Sequence, residues 1–287
     1  MADITASMVK ELRDKTGAGM MDVKGALVEC KGDMEAAVDW LRKKGLAKAA
    51  KKSGRVAAEG LVAVAAAANG TSASLVEINA ETDFVARNQQ FQDYSLKAAQ
   101  ICIGTDGSIE ALAAASYADG KNAQEFLTSL IATIGENMSL RRSTKLSVSQ
   151  GVVATYVHNA IAPNIGKIGV LVALESAAPT ATLQALGKQL AMHVAAAGPE
   201  YLDAASVDPA AAERERNVQR ETALASGKPP EIVEKMLDGR MRKYFEEVCM
   251  MEQAFIMDPD TKIAALLEKA GKDAGSPIKL TAFVRYV

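Results

Sequence analysis

Four side chains could support metal binding or acid–base chemistry: His158, His193, Glu81 and Asp83. A metal site needs ligands at a spacing that puts two of them on one face of an element, and no two histidines or cysteines stand at such a spacing. Gly17-Ala18-Gly19 is glycine-rich, but no strand precedes it, so it lacks the context of a phosphate-cradling loop. Each histidine therefore reads as a structural or interface residue. His193 lies in the apolar stretch Leu190-Ala191-Met192-His193-Val194 and is expected at a domain edge. His158 precedes a loop from Asn159 to Asn164 and is the better candidate for touching a partner. The expectation is a chain with no metal, no cofactor and no covalent chemistry of its own.

The more informative chemistry is that of association. In Glu81-Thr82-Asp83-Phe84-Val85-Ala86-Arg87-Asn88, Thr82 and Asp83 read as N-cap residues, whose short oxygen-bearing side chains accept from orphan amides of a following helix. Phe84, one of 6 phenylalanines in the chain, then stands at a turn from strand to helix. A ring held at a protruding corner acts as a wedge into another protein; a ring folded back onto its own helix acts as a hydrophobic staple. Both readings fit the spacing.

The elements that must position this corner repeat. Leu75-Val76-Glu77-Ile78-Asn79-Ala80-Glu81 parallels Gly169-Val170-Leu171-Val172-Ala173-Leu174-Glu175, and Gly60-Leu61-Val62-Ala63-Val64 parallels Gly151-Val152-Val153-Ala154-Thr155. Each copy runs on into an Ala-rich helix, Phe91 to Cys102 and Ala181 to Ala196. Two such units with added strands and helices predict an α+β fold with antiparallel sheets. Ala177-Ala178-Pro179 stands roughly where the first copy has Asp83-Phe84, so the corner belongs to copy one alone.

Ahead of the repeat, residues 4 to 45 predict a three-helix bundle similar to ubiquitin-associated domains. Thr5 or Ser7 caps the first helix, Gly17-Ala18-Gly19 breaks it, Asp33 caps the third, and Gly45 ends it. Arg42, Lys43, Lys44, Lys48, Lys51, Lys52 and Arg55 follow with no acid between them and read as a solvated linker helix. No aromatic residue interleaves them, which argues against nucleic acid. Residues 104 to 140 predict mostly helix. Pro209 to about Gln253 predicts an exposed helical hairpin broken at Gly227-Lys228-Pro229-Pro230. Alternation of Ile278, Leu280, Ala282, Val284 and Tyr286 marks a last strand. The expected domains are 1–54 for the bundle and basic linker, 55–140 for a first α+β subdomain, and 141–287 for a second that carries the hairpin at about 209–253.

Composition narrows the classes further. At 287 residues the chain can bury a sizeable core, and 33 Lys plus Arg against 35 Asp plus Glu give a net charge of −2. That balance exerts no global pull on nucleic acid. Three scattered cysteines suggest a reducing compartment without a disulfide framework. Met1-Ala2-Asp3-Ile4 lacks a secretory pattern, and no apolar run is long enough to span a bilayer. A cytoplasmic protein that binds neither membrane nor nucleic acid directly is expected.

Thr82-Asp83-Phe84-Val85 resembles the signature of the bacterial elongation factor Ts family, the nucleotide exchange factors of the translational GTPase EF-Tu. Four more blocks occur in that family's order: Leu12-Arg13-Asp14-Lys15-Thr16-Gly17-Ala18-Gly19-Met20-Met21-Asp22, Gly166-Lys167-Ile168-Gly169-Val170-Leu171-Val172, Ala191-Met192-His193-Val194-Ala195-Ala196, and Ser226-Gly227-Lys228-Pro229-Pro230-Glu231-Ile232. The resemblance implies binding of GDP-bound and nucleotide-free EF-Tu, and promotion of GDP release by disturbing the magnesium and phosphate site. It implies that Thr82, Asp83, Phe84 and Val85 press near the magnesium. Arg13, Met20 and Met21 would touch the partner's GTP-binding domain, burial of the two methionines in the bundle being the alternative. His158, Gly166 and Lys167 would hold a different domain. The resemblance allows a homodimer. Enterobacterial members carry a further C-terminal helical module, whose contacts are not carried over, and the loop from Asn159 to Asn164 is expected to be longer than the family's.

Overall fold

The first and third helices start on local capping chemistry. In the computed structural model, which describes residues 4–227 and 229–287, α1 (Ala6–Thr16) begins at Thr5, whose hydroxyl accepts from the Met8 amide at 3.2 Å, and ends at Gly17 with φ +64°. Helix α2 spans Met20–Glu29, and α3 (Met34–Lys52) begins at Asp33, whose carboxylate accepts from the Ala36 amide at 2.9 Å. Leu12, Val23, Ala26, Leu27 and Ala37 form the bundle's interior.

The chain continues through β1 (Glu59–Ala66), β2 (Ser72–Ala80), a four-residue turn of helix α4 (Asp83–Ala86), and α5 (Gln89–Ile103). Next come α6 (Ile109–Ala114), the short pair β3 (Ser116–Ala118) and β4 (Lys121–Asn122), α7 (Ala123–Ile134) and β5 (Met138–Ser147). Residues 104 to 140 are thus less helical than their composition predicts: Asp119 (φ +54°) and Gly120 (φ +71°) close a tight hairpin between the two helices, as Asp-Gly pairs do. The second half consists of β6 (Gly151–Ala162), β7 (Ile165–Glu175), α8 (Thr180–Ala197), α9 (Pro209–Ala225), α10 (Pro230–Val248), β8 (Ala254–Phe255), β9 (Asp258–Lys262), α11 (Ile263–Asp273) and β10 (Lys279–Tyr286).

The chain divides into two compact units. One holds residues up to Ala65, Ser74–Lys145 and Asn159–Lys167; the other holds Ala66–Ala73, Leu146–His158 and Ile168–Val287. In the first, the sheet order is β7–β1–β2–β5, with Val62 opposite Gly166 and Ala63 opposite Ile165. Leu61, Val76 and Ile78 from the sheet pack with Phe91, Tyr94, Ala98 and Cys102 of α5 and with Leu127 and Ile131 of α7. Helix α3 does not stop at Gly45. It runs on to Lys52 because Gly45 is a close-packing position, where a Cβ would lie 3.1 Å from that of Ala132 on α7, and Ala49 one turn later joins the core. Most of the basic run has internal partners: Arg42 with Glu125, Lys44 and Lys48 with Asp22, Lys52 with the Gly135 carbonyl, and Arg55 with Glu81. The run expected as a solvated linker helix is helical to Lys52 and half-exposed, with much of its charge paired within the first unit.

In the second unit β7 lies between β6 and β10. Antiparallel pairing with β10 runs from Lys279 opposite Glu175 to Tyr286 opposite Gly169. Val152, Val170, Val172 and Leu174 pack with Leu183, Leu190 and Val194 of α8 and with Ile263 and Leu267 of α11. The expected loop from Asn159 to Asn164 is mostly strand: β6 reaches Ala162, and Pro163-Asn164 alone connects it to β7, with Asn164 at φ +65°. Helices α9 and α10 form the hairpin, held by a small core of Ala223, Val233 and Leu237 and by Arg220–Glu234 at 2.9 Å. Lys228 at its predicted break, like Met1, Ala2 and Asp3, lies outside the described residues. Among the described residues no helix is long and apolar enough to cross a membrane.

The repeat is structural. Each copy is a strand pair followed by a helix, β1–β2–α5 and β6–β7–α8, and each opens on the same backbone device. Gly60 (φ +148°) and Gly151 (φ +135°) lie where a Cβ would overlap the carbonyl oxygen of Ile78 and of Leu174 respectively. Only glycine permits that approach.

Candidate functional site

Strand β2 delivers the chain to the corner, and the residues there divide by direction. Val85 and Ala86 are buried in the first unit's core, whereas Phe84 is 75% exposed. The staple arrangement is therefore absent. Asp83 pairs with Arg87 at 3.4 Å across the single helical turn, and the Arg87 and Asn88 amides return to the carbonyls of Phe84 and Val85. Asn88 caps the next helix, its side-chain oxygen accepting from the Gln90 and Phe91 amides at 2.9 and 3.4 Å.

Thr82 occupies the N-cap position of α4 but makes no side-chain cap bond. Its hydroxyl donates instead to the Glu136 carboxylate at 2.9 and 3.0 Å, and its amide donates to the same group at 3.1 Å. A carboxylate offers more acceptor sites than these two donors need, so one side chain satisfies both. Next to it, the Asn137 amide donates to Glu81 at 2.5 Å, the Asn137 side chain donates to the Arg55 carbonyl at 2.8 Å, and Lys52 reaches the Gly135 carbonyl. Sequence reasoning missed Glu136 and Asn137. They lie more than fifty positions downstream of the corner, and the only local signal is the helix-ending Gly135, at φ +94°.

The remaining predicted residues fall at separate places. Arg13 is exposed, as are Met20 and Met21 (59% and 81%), so burial in the bundle is not their role. Beneath them Asp22 is held by Lys48 at 2.6 Å and Lys44 at 3.1 Å, and the Lys48 hydrogen bond draws its carboxyl below the ordinary range. Gly166 is buried within the β1–β7 pairing and offers no surface; Lys167 beside it pairs with Glu59 at 2.6 Å. His158 is exposed on β6, 3.1 Å from the Tyr156 hydroxyl through Nδ1.

His193 lies fully buried in the second unit's interior rather than at an edge. The Ile256 amide donates to Nδ1 at 3.4 Å, so Nε2 bears the proton and donates to Gln253 Oε1 at 2.8 Å. Burial pushes its pKa below the ordinary histidine value, opposed by the Gln253 hydrogen bond. Burial likewise raises the Cys249 thiol to about 11. Among the described residues, no three His, Cys, Asp or Glu side chains gather as a metal set, and no buried side-chain polar atom lacks a partner. What the arrangement offers is an apolar ring presented on a braced corner.

Comparison with known proteins agrees on one family. The family described as Elongation factor TS matches residues 81–287. The chain is 60% identical to "Elongation factor Ts" of Rhodospirillum centenum over 100% of its own length and 93% of that protein's. It is 61% identical to the protein of the same name from Paramagnetospirillum magneticum, covering 100% and 91%, and 57% identical to that of Rhizobium etli, covering 99% and 92%. The chain belongs to the elongation factor Ts family.

Proposed function

We propose that this protein is a guanine nucleotide exchange factor that binds the translational GTPase EF-Tu in its GDP-bound and nucleotide-free forms and speeds GDP release during elongation. The observation that carries the reading is Phe84, a large apolar side chain left exposed on a corner whose flanking residues are buried or bonded. Aromatic side chains are enriched among the residues that carry most of the energy of protein–protein interfaces, and this one stands on a braced corner. Thr82, Asp83, Phe84 and Val85 press toward the partner's magnesium and phosphate site. Magnesium ties the nucleotide phosphates to the GTPase, so disturbing its support removes a large electrostatic contribution to GDP binding.

The bundle and linker, residues 1–54, grip the GTP-binding domain through Arg13, Met20 and Met21, methionine being an adaptable apolar contact. His158 and Lys167 hold a second domain, while the buried Gly166 only places Lys167 on its strand. The factor makes no covalent change and works in the cytoplasm. If it weakens GDP binding by some factor, GDP weakens its own binding equally, so free nucleotide turns the cycle over. Mixing the protein with EF-Tu loaded with fluorescent GDP in a stopped-flow instrument tests this. The expected result is a release rate that rises with micromolar additions; a rate that does not respond overturns the assignment.

A further inference from the structure

The corner that carries Phe84 is one helical turn, Asp83–Ala86, too short to hold itself, since an isolated turn does not recover the entropy of its own nucleation. Its own N-cap side chain contributes nothing to it. The Thr82 amide and hydroxyl instead end on one carboxylate, Glu136, and the neighbouring Glu81 accepts from the Asn137 amide. Both acceptor and donor come from the link between α7 and β5, which Lys52 and the Arg55 carbonyl bind from another side.

From this geometry we infer that Glu136 is a positioning residue for exchange: it touches neither partner nor nucleotide, and acts by fixing Thr82 so that Phe84 enters its site without first being ordered. An anchor that is pre-ordered loses less conformational freedom on binding, and the benefit is lost when its support loosens. The inference rests on the exchange reading of the Phe84 corner. In that reading the bundle sets the grip and the corner sets the push, so loosening the corner lowers the release rate at saturation and leaves the half-saturating concentration nearly alone.

The test compares Glu136→Ala, Phe84→Ala and the double variant by GDP release from EF-Tu over a range of factor concentrations, with melting temperature measured on each sample. Glu136→Ala is expected to lower the saturating rate about fivefold or more while the half-saturating concentration moves less than about twofold. Glu136→Gln, which keeps one acceptor oxygen, is expected to recover part of the loss, and it decides the question if the alanine variant does not fold. The double variant is expected to be no slower than Phe84→Ala alone, because the clamp acts only through the ring. Multiplying defects overturn the inference, as does a normal saturating rate in Glu136→Gln and Glu136→Ala alongside a slow Phe84→Ala. If Phe84→Ala itself exchanges normally, the exchange reading of the corner fails instead.

Discussion

The two copies of the strand–strand–helix repeat part where the second strand meets the helix. In copy one, β2 leads into Thr82-Asp83-Phe84-Val85, an added helical turn that leaves Phe84 exposed and is bonded to Glu136. In copy two, β7 leads through Ser176-Ala177-Ala178 directly to Pro179 and α8, the Ala178 side chain is buried, and its amide donates to the Ser176 hydroxyl at 3.0 Å. One scaffold thus carries a braced apolar projection once and a flush joint once. The shared parts answer to folding, and the unshared part is the one that the proposed function assigns to a partner.

The largest effect should fall on what the copies share. Gly60→Ala and Gly151→Ala each force a side chain into a left-handed backbone against a carbonyl. Strain of about 1–3 kcal/mol and overpacking of about 1–3 kcal/mol should add, and urea denaturation should show losses of similar size in both. A large loss in one copy alone would mean that the repeat is superficial.

Swapping the corner chemistry is the next test. Ala178→Phe inserts a ring into the flush joint and should cost about 1–3 kcal/mol of stability with no gain in exchange. Phe84→Ala should do the opposite, shifting stability by less than about 0.5 kcal/mol, as at other exposed sites, while slowing GDP release about tenfold or more, the equivalent of about 1.4 kcal/mol. Melting temperature and release rate on the same sample decide it. A destabilised Phe84→Ala with normal exchange per folded molecule reverses the assignment.

The repeated helices also differ in what they bury. Tyr94 of α5 donates its hydroxyl to the Ala123 carbonyl, whereas α8 buries His193 as a neutral ring. Its folded pKa lies below the unfolded value of about 6.5, so the unfolded state binds the extra proton. Its contribution is complete above that value and declines as pH falls through it toward the folded pKa. Melting curves between pH 7.5 and 5, read at about half-unit steps, should show a decline that His193→Gln makes shallower; an equal slope in both proteins would refute the assignment. The smallest effect is expected at the helical hairpin, found after copy two only. Shortening it around Gly227 and Pro230 should move the melting temperature by no more than about 2 °C, because its core of Ala223, Val233 and Leu237 is its own.

Where a local rule acts alone, the sequence was readable. Thr5 and Asp33 cap as their types demand, and the glycine-led apolar runs located both strand pairs. Rules failed where a distant partner outbid the local one. Thr82 looks like a cap, yet Glu136 takes its hydroxyl; Gly45 looks like a stop, yet Ala132 gives the helix a reason to continue. Strand β5 went unread because Arg141, Arg142 and Lys145 break its apolar alternation, and what they do is visible only in three dimensions. Arg141 and Arg142 each reach the carboxylate of Glu77, itself only 4% exposed, at 2.6 Å. Whether Phe84 folds back or stands out has no signature in spacing at all.

Strand β5 stands last in the first unit's sheet order, and among the described residues no further strand pairs with it; an edge strand of that kind is a template onto which another chain could add a strand. Cations along such an edge repel a like copy and strand an incoming backbone beside unmatched charge. Arg141 and Arg142, which hold Glu77, and Lys145 put three cations on β5, so the residues that satisfy a buried carboxylate are also of the type that discourages edge pairing.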